Sequence, residues 1–284
     1  MKFLRYGSPG EEKPGLLDKN GIIRDLSHKI NDFEGLTLCD KNLFELAKLN
    51  TDNLIEVNGN TRLGPPVANV GKIIAVGINY ADHGKETKIN LPKEPILFSK
   101  AITSLSGPND PVILPKGSLK CDWEAELAIV IGKRAQYVSE KDAMQVIAGY
   151  TIMNDVSERE FQLEREGQWL KGKSFDTFAP LGPWLVTPDE IVDPQNLYIW
   201  LNVNGKKQQD GHTNDMIFNI RNIISTVTNY MTLMPGDIIS TGTPPGVGLG
   251  KIPPMYLKKG DVINLGIESL GEQSQKIKSW EEVN

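Results

Sequence analysis

The stretch Asp122-Trp123-Glu124-Ala125-Glu126-Leu127-Ala128-Ile129-Val130 carries acidic residues into an otherwise apolar run. Such a run is typical of a β-strand, in which successive side chains point to opposite faces. Glu124 and Glu126 are therefore expected on one face, with Cα atoms about 6.5 Å apart, whereas Trp123 and Leu127 face the other side. Two carboxylates on one face repel each other, and a hard divalent cation offsets that repulsion well.

A third acid extends this pattern. Asp155 follows a strand predicted over 148–153, and that strand comes next in the chain after the one with the glutamates. Strands that follow each other are often neighbours in a sheet, so Asp155 is expected beside the pair. Three carboxylates from two strands would form a Mg²⁺ or Mn²⁺ site that keeps waters or substrate oxygens as its other ligands. The alternative is a strand edge whose acids face water.

The segment Gly77-Ile-Asn-Tyr80-Ala-Asp-His83-Gly-Lys-Glu86 contains a candidate catalytic pair. His83 and Glu86 are three residues apart and face each other on a helical turn. A carboxylate that orients a histidine makes it a better general base. Glycines on both sides of the histidine indicate a loop that closes over a ligand. The alternative is a surface histidine with a chance acidic neighbour, as we expect for His28 and His212, which lack such a partner.

The segment Trp169-Leu-Lys171-Gly-Lys173-Ser-Phe-Asp176 places Lys173 among aromatic and turn residues. A lysine in such a place can hold an anionic group of a substrate or stabilise an enolate as it forms. The alternative is a lysine in contact with solvent.

The loop Ser240-Thr-Gly-Thr243-Pro-Pro-Gly-Val-Gly-Leu-Gly250 leaves a predicted strand and is rich in glycine. It lacks the spacing of both the Walker and the dinucleotide-binding motifs, so we do not expect it to bind a nucleotide. It is expected to form a wall of the site that offers Thr243 and backbone N–H groups to an anion.

Composition limits the class of protein. Lys and Arg number 31 against 36 Asp and Glu, and the net charge of −5 argues against a nucleic-acid binder. No apolar run approaches the roughly 18 residues of a membrane span, and the first residues leave no room for a signal peptide. Cys39 and Cys121 are expected to be free thiols in a reducing cytoplasm. Only three histidines are present, which disfavours a zinc site.

The chain is predicted to divide at Gly64-Pro65-Pro66 into a small N-terminal α+β domain, residues 1–66, and a larger domain, residues 67–284. In the larger domain strands outnumber helices and do not alternate regularly with them. Helices are predicted there over 139–146, 157–165 and 215–230. We therefore expect an α+β, mostly β protein with a mixed and mainly antiparallel architecture rather than a doubly wound sheet.

Taken together, the motifs resemble the fumarylacetoacetate hydrolase family. The E-x-E strand, the later Asp, and the motifs N-Y-x-x-H-x-x-E, K-S-F-D-x-F-x-P-x-G-P and T-G-T-P-x-G-V-G occur within residues 70–270. The resemblance implies a mixed β-sandwich roll, a Mg²⁺ or Mn²⁺ cofactor and a homodimer. It also implies site roles for nine side chains: Glu124, Glu126 and Asp155 as metal ligands, His83 and Glu86 as a water-activating pair on a lid that orders on binding, Lys173 as the active-site lysine, and Arg159, Gln162 and Thr243 as substrate contacts.

The N-terminal residues Leu4-Arg5-Tyr6-Gly7 and Pro14-Gly-Leu-Leu-Asp18 resemble one bacterial branch of that family. The branch is often labelled ureidoglycolate lyase and includes hydrolases of 2,4-diketo-3-deoxy sugar acids such as the fuconate and rhamnonate derivatives. The resemblance therefore implies a metal-dependent hydrolase that cleaves the C3–C4 bond of a 2,4-dioxo acid to pyruvate and a carboxylic acid. Oxaloacetate decarboxylation, hydration or isomerisation of 2-oxo-enoic acids, ureidoglycolate lysis and a non-enzymatic metal-binding domain remain alternatives.

Overall fold

The computed structural model describes residues 1–58, 60–86 and 90–283. The strands in these ranges are β1 (Lys2–Tyr6), β2 (Lys13–Leu17), β3 (Ile23–Asp25), β4 (Leu63–Gly64), β5 (Ile73–Gly77), β6 (Ile96–Lys100), β7 (Leu105–Ser106), β8 (Val112–Leu114), β9 (Cys121–Asp122), β10 (Ala125–Ile131), β11 (Ile147–Asn154), β12 (Ser157–Glu158), β13 (Ala179–Val186), β14 (Tyr198–Val203), β15 (Lys206–His212), β16 (Ile238–Ser240), β17 (Val262–Ile267) and β18 (Gly271–Ser279). The α-helices are α1 (Asp40–Ala47), α2 (Ala81–Glu86), α3 (Arg159–Leu163), α4 (Leu170–Lys173) and α5 (Ile220–Tyr230). Among the described residues, none of these helices is long and apolar enough to cross a bilayer.

The larger sheet is mixed and has the order β3-β2-β1-β13-β11-β10-β16-β5-β6. Its centre is antiparallel: β10 pairs with β11 so that Ala125 lies opposite Asn154. On the other side of β10, β16 runs antiparallel to it and parallel to β5. This register places the start of β10 beside the end of β11, and the chain carries its acids at these two strand ends. The prediction of a mostly β, mainly antiparallel protein is confirmed.

The second sheet has the order β15-β14-β17-β18-β8 and shares a core with the first. Side chains alternate along β10, as expected for a strand. Leu127 and Ile129 pack into the core with Leu201 of the second sheet and Ile224 of α5. Ala128 and Val130 point the opposite way, into a core with N-terminal residues such as Phe3 and Leu43. Burial on both faces explains why the strand is a continuous apolar run.

The N-terminal strands continue the larger sheet, because β1 pairs with β13 as well as with β2. An ion pair adds to this contact. Arg62 donates to Asp110 with Nη2 at 2.6 Å. The division into residues 1–66 and 67–284 stays a prediction, but the two parts share backbone hydrogen bonds and a core.

The helix predicted over 139–146 is only a 3₁₀ turn over Ala143–Val146. Two further helix starts differ from the sequence prediction, and capping explains both. The helix predicted from Ser157 begins at Arg159, since the side chain of Glu158 caps it by accepting a hydrogen bond from the Glu160 N–H, while Ser157 lies in β12. The helix predicted from Asp215 begins at Ile220, because Asn219 accepts from the Asn222 N–H. Asn204-Gly205 forms the turn that joins β14 to β15, with φ values of 51° and 74° that fit a type I′ hairpin.

A core truncation tests the packing around β10. Ile129 is fully buried, so Ile129→Ala should lower the free energy of unfolding by about 2–5 kcal/mol. Ile55 is 60% exposed, so the free energy of unfolding of Ile55→Ala should stay within about 0.5 kcal/mol of the wild-type value. Urea denaturation in metal-free buffer measures both free energies of unfolding. Equal losses of stability in the two variants would contradict the burial of Ile129 in the core around β10.

Candidate metal and active site

Three carboxylates lie together where β10 begins and β11 ends. Glu124 directly precedes β10, Glu126 is its second residue, and Asp155 directly follows β11. One oxygen from each lies within 4.8 Å of the others. The backbone joins these strand ends, since the Asp155 N–H donates to the Glu124 carbonyl at 2.9 Å. All three side chains are buried, and we call them the acidic cluster.

Cationic side chains from three other elements contact the acidic cluster. Lys173 of α4 bridges two acids, with Nζ at 2.6 Å from Glu124 Oε2 and 2.8 Å from Asp155 Oδ2. Lys100, at the end of β6, donates to Asp155 Oδ1 at 2.6 Å. Arg159, the first residue of α3, donates with Nη2 to Glu124 Oε1 at 2.6 Å. Both oxygens of Glu124 and both of Asp155 are therefore bound to a cationic group.

The carboxylates of the acidic cluster have opposite pKa shifts. Burial alone would raise the pKa of Glu124, but the charges of Arg159 and Lys173 outweigh burial and hold that pKa well below its usual value. Burial raises the pKa of Glu126 well above its usual value, and repulsion from Asp155 and Glu124 raises it further. The negative charge of Glu126 is thus the least compensated in the site.

Glu126 makes the acidic cluster suited to a divalent cation. No ion pair within the described ranges reaches Glu126, whose Oε2 accepts from Ser240 Oγ at 2.6 Å and from the Gly242 N–H at 2.9 Å. A carboxylate oxygen has more than one lone pair, so it can accept a hydrogen bond and still bind a metal ion. The three carboxylates form a hard, all-oxygen donor set that fits Mg²⁺ or Mn²⁺.

Lys173 reaches the acidic cluster because α4 packs closely on α3. A Cβ atom on the preceding residue, Gly172, would lie 2.4 Å from the Glu158 carbonyl oxygen and 2.5 Å from the Gln162 nitrogen. Only glycine fits this contact. Burial would lower the pKa of Lys173, but the carboxylates of Asp155 and Glu124 outweigh it and raise that pKa. Lys173 is therefore a fixed positive charge at the floor of the site.

The predicted catalytic pair lies on α2. His83 is buried and borders the same cavity as the acidic cluster, and its Nδ1 lies 3.9 Å from Glu86 Oε2. That distance exceeds a hydrogen bond but keeps the carboxylate beside the imidazole. The same Glu86 oxygen accepts from the Gly246 N–H at 2.8 Å. Burial alone would raise the pKa of Glu86, but His83 and the Gly246 N–H outweigh it and lower that pKa.

The glycine-rich loop binds carboxylates of the chain itself. Asp122, at the end of β9, is fully buried and accepts from the N–H groups of Gly248 at 2.7 Å and Leu249 at 2.9 Å. Its Oδ2 also accepts from Arg159 Nε at 2.8 Å. These loop N–H groups were expected to face an external anion. Together with the Gly246 N–H on Glu86, they instead hold the loop to the strand and to α2.

The three predicted substrate contacts border the cavity and are hydrogen-bonded within the protein. Arg159 Nη1 donates to Gln162 Oε1 at 3.0 Å. Thr243 Oγ1 donates to the Ala125 carbonyl at 2.9 Å and accepts from Gln209 Nε2 at 2.7 Å. In this arrangement they build the walls of the site, and their contact with a substrate stays a prediction.

Eight of the nine predicted site residues line one cavity, and the exception is Glu86. The cavity is partly open to solvent. Glu86 stands behind His83 and packs against the glycine-rich loop. His28 and His212 are exposed, as expected, and neither borders this cavity.

Sequence reasoning missed Lys100 and the role of Asp122. Lys100 ends the apolar run of β6, and a lysine at the inner end of such a run is a signal that could have drawn attention to it. Burial and the charge of Lys173 lower the pKa of Lys100, although Asp155 opposes the shift. Asp122 stands two residues before Glu124, but nothing local indicates that its partners lie on a loop about 125 residues later.

Removal of one charge tests the acidic cluster as a metal site. Glu126→Gln keeps the side-chain shape, so Mn²⁺ binding should weaken by at least about 100-fold, because loss of a direct ligand should cost at least as much as loss of an outer-shell partner. Isothermal titration calorimetry measures the affinity. The control is Asp237→Asn, which changes a buried acid paired with Lys72. Wild-type affinity in Glu126→Gln would contradict the site.

A second variant tests the contact between α2 and the loop. A Cβ on Gly250 would lie 2.1 Å from Glu86 Cγ, so Gly250→Ala should displace Glu86 and free the Gly246 N–H. Loss of that hydrogen bond, worth about 1 kcal/mol, should speed amide exchange at Gly246 roughly fivefold. The amides of Gly248 and Leu249, held by Asp122, should be unaffected.

The control for this contact is a double-mutant cycle. Without the Glu86 side chain the added methyl group has nothing to displace, so Gly250→Ala in a Glu86→Ala background should leave Gly246 exchange unchanged. An equal effect in both backgrounds would show that Gly250→Ala disturbs the loop by another route.

Comparison with known proteins agrees with this fold. The family model for the fumarylacetoacetate hydrolase C-terminal region matches residues 72–278. A Burkholderia multivorans protein with a general hydrolase name is 54% identical over 276 residues, 97% of this chain and 98% of its own length. Fumarylacetoacetate hydrolase from Exiguobacterium antarcticum has a TM-score of 0.85 at 34% identity, covering 98% of this chain and 99% of that one.

Maleylpyruvate hydrolase from Sphingobium sp. SYK-6, solved with a manganese(II) ion and pyruvate, is similar over 98% of this chain and 99% of its own, with a TM-score of 0.81 and 30% identity. That protein is named as a hydrolase, and its structure holds a divalent cation. The acidic cluster of this chain is a group of three carboxylates that could hold such an ion. The family match over residues 72–278 covers the strands and loops that build the site. The chain belongs to the fumarylacetoacetate hydrolase family.

Proposed function

We propose that the protein is a divalent-metal-dependent hydrolase that cleaves the C3–C4 bond of a 2,4-dioxo acid, giving pyruvate and a carboxylic acid. One observation carries this proposal: a buried histidine with a carboxylate beside it borders the same cavity as the acidic cluster. The acidic cluster would hold a cation, and that cation would bind the 2-oxo acid. The histidine would activate water, which is the second reactant of a hydrolysis.

Glu124, Glu126 and Asp155 would hold the metal ion. When bound, Mg²⁺ or Mn²⁺ supplies Lewis-acid stabilisation of negative charge on the oxygens of the 2-oxo acid. Both ions accept an all-oxygen site of this kind.

His83 takes a proton from water in this proposal, and Glu86 stabilises the imidazolium that results. The water oxygen forms a bond to C4 of the substrate. The C3–C4 bond then breaks, and its electron pair remains on C3 as the enolate of pyruvate. Protonation of C3 gives pyruvate, while the C4 fragment leaves as the carboxylic acid.

Lys173 stabilises charge during this cleavage. Its ammonium group is fixed between Glu124 and Asp155, and contact with those carboxylates raises its pKa, so it stays positive as the enolate develops. A preorganised charge of this kind stabilises the transition state without reorganisation during the reaction. Lys173 therefore acts as an electrostatic group and not as a base.

The His83/Glu86 pair favours hydrolysis over decarboxylation. Decarboxylation of oxaloacetate gives the same enolate but needs no activated water, so that reaction would leave the pair unused. Isomerisation or hydration of 2-oxo-enoic acids and lysis of ureidoglycolate would use the acidic cluster with other proton transfers. A panel of acylpyruvates, diketo sugar acids, 2-oxo-enoic acids, ureidoglycolate and oxaloacetate, tested with Mg²⁺ and with EDTA, separates these reactions by their products.

The proposal predicts a specific loss of rate in His83→Ala. General base catalysis contributes about 10²–10⁴-fold, so kcat for an acylpyruvate should fall by about that factor while Mn²⁺ affinity is retained. The control is His212→Ala, which truncates an exposed histidine and should leave both quantities unchanged. Stopped-flow loss of diketone absorbance measures kcat, and a wild-type kcat in His83→Ala would rule out this histidine as the base.

A further inference from the structure

One side of the cavity is an apolar wall. It is formed by Phe98 of β6 and Trp169, which immediately precedes α4, with aliphatic side chains from three other segments: Ile78, Leu163 and Leu249. The Phe98 and Trp169 rings meet edge to face, with centroids 5.3 Å apart. Both rings are only half-buried, and Leu163 is 38% exposed, so the wall keeps apolar surface available to a ligand.

The apolar wall begins next to the acidic cluster. Lys173 Nζ lies 2.6 Å from Glu124 Oε2 and 4.9 Å from the centroid of the Phe98 ring. The same ammonium group thus contacts the carboxylates on one side and faces an aromatic ring on another. A substrate held at the acidic cluster through its 2-oxo acid end would extend its far end along this wall.

The strand beside the wall leaves space for the indole. A Cβ atom on Gly77, the last residue of β5, would lie 2.4 Å from Trp169 Cζ3. Glycine at this position is therefore required for Trp169 to lie against the end of the strand. The indole is held in place by the Phe98 ring on one side and by a close backbone contact on the other.

The side chains of Arg159 and Thr243 near the wall make hydrogen bonds within the protein. Arg159 uses three of its five N–H groups to donate to Asp122, Glu124 and Gln162. Thr243 donates to the Ala125 carbonyl and accepts from Gln209. A hydroxyl-rich group against the apolar wall would lose water without gaining an equal number of hydrogen bonds, which weakens its binding.

We propose that the acyl group attached to C4 of the substrate is apolar, aliphatic or aromatic, and that it packs on Phe98 and Trp169. The inference rests on the proposed hydrolysis of a 2,4-dioxo acid and narrows its substrate class. It disfavours the polyhydroxylated sugar acids, whose hydroxyls would face aromatic and aliphatic side chains, and it disfavours acyl groups that end in a second carboxylate.

The test is a matched series of substrates with Mg²⁺: acetylpyruvate, hexanoylpyruvate, benzoylpyruvate, fumarylpyruvate and a 2,4-diketo-3-deoxy sugar acid. A methylene in an apolar pocket contributes about 10–200-fold to kcat/KM, so hexanoylpyruvate and benzoylpyruvate should exceed acetylpyruvate by at least about tenfold. The highest kcat/KM for the sugar acid or for fumarylpyruvate, or equal values across the series, would overturn the proposal.

Variants locate the effect on the wall. Trp169→Ala should lower kcat/KM for benzoylpyruvate by about 10–100-fold, since it removes apolar contact, and should change acetylpyruvate by less than about threefold. Gly77→Ala displaces the indole without removing it. This variant should also lower kcat/KM more for benzoylpyruvate than for acetylpyruvate. Trp200→Ala, which truncates a half-buried tryptophan on β14, should affect both substrates alike. A uniform loss with Trp169→Ala would overturn the assignment of the wall.

A binding measurement separates this inference from the proposed reaction. If no acylpyruvate is turned over, the hydrolysis proposal fails. Calorimetry on the Mg²⁺-loaded His83→Ala variant then tests the preference for an apolar acyl group independently of the reaction. Benzoylpyruvate should bind at least about tenfold more tightly than acetylpyruvate, equivalent to about 1.4 kcal/mol. Equal affinities would overturn the inference whatever the reaction is.

Discussion

Mutual repulsion among three buried carboxylates is the constraint on which the site depends. Glu124, Glu126 and Asp155 lie within 4.8 Å of one another and away from water. Lys100, Lys173 and Arg159 offset part of this charge, and because they come from β6, α4 and α3, the ion pairs also fix those elements around the cavity. Glu126 receives hydrogen bonds but no cation from the described residues, so its charge is the one that a bound divalent ion would offset.

A second set of contacts connects the acidic cluster to α2. Arg159 binds Glu124 with one nitrogen and Asp122 with another, and Asp122 in turn holds the N–H groups of the glycine-rich loop. The Gly246 N–H of that loop binds Glu86, beside His83. The glycine-rich loop therefore contacts both the acidic cluster, through Asp122 and Arg159, and the carboxylate beside the proposed base. The loop acts as a connector and not as a phosphate-binding element.

Local patterns in the sequence predicted much of this site. The two-residue period placed Glu124 and Glu126 on one face, and strand adjacency placed Asp155 beside them. The pairing of Lys100 with Asp155, 55 residues later, was not predictable, because no local spacing relates residues that only the sheet order brings together. The role of Asp122 was hidden for the same reason. The start of α5 was placed five residues too early, since the Asn219 cap outweighs the helical spacing before it. The homodimer remains a prediction.

The most direct test of the acidic cluster as a metal site is anomalous diffraction at the manganese edge from crystals grown with Mn²⁺. We expect one strong peak within about 2.5 Å of a carboxylate oxygen from each of Glu124, Glu126 and Asp155. The Lys173 ammonium group should remain beside the peak, and His83 should face it across the cavity. A peak elsewhere in the protein, or one that contacts the cluster through a single carboxylate, would contradict the metal site.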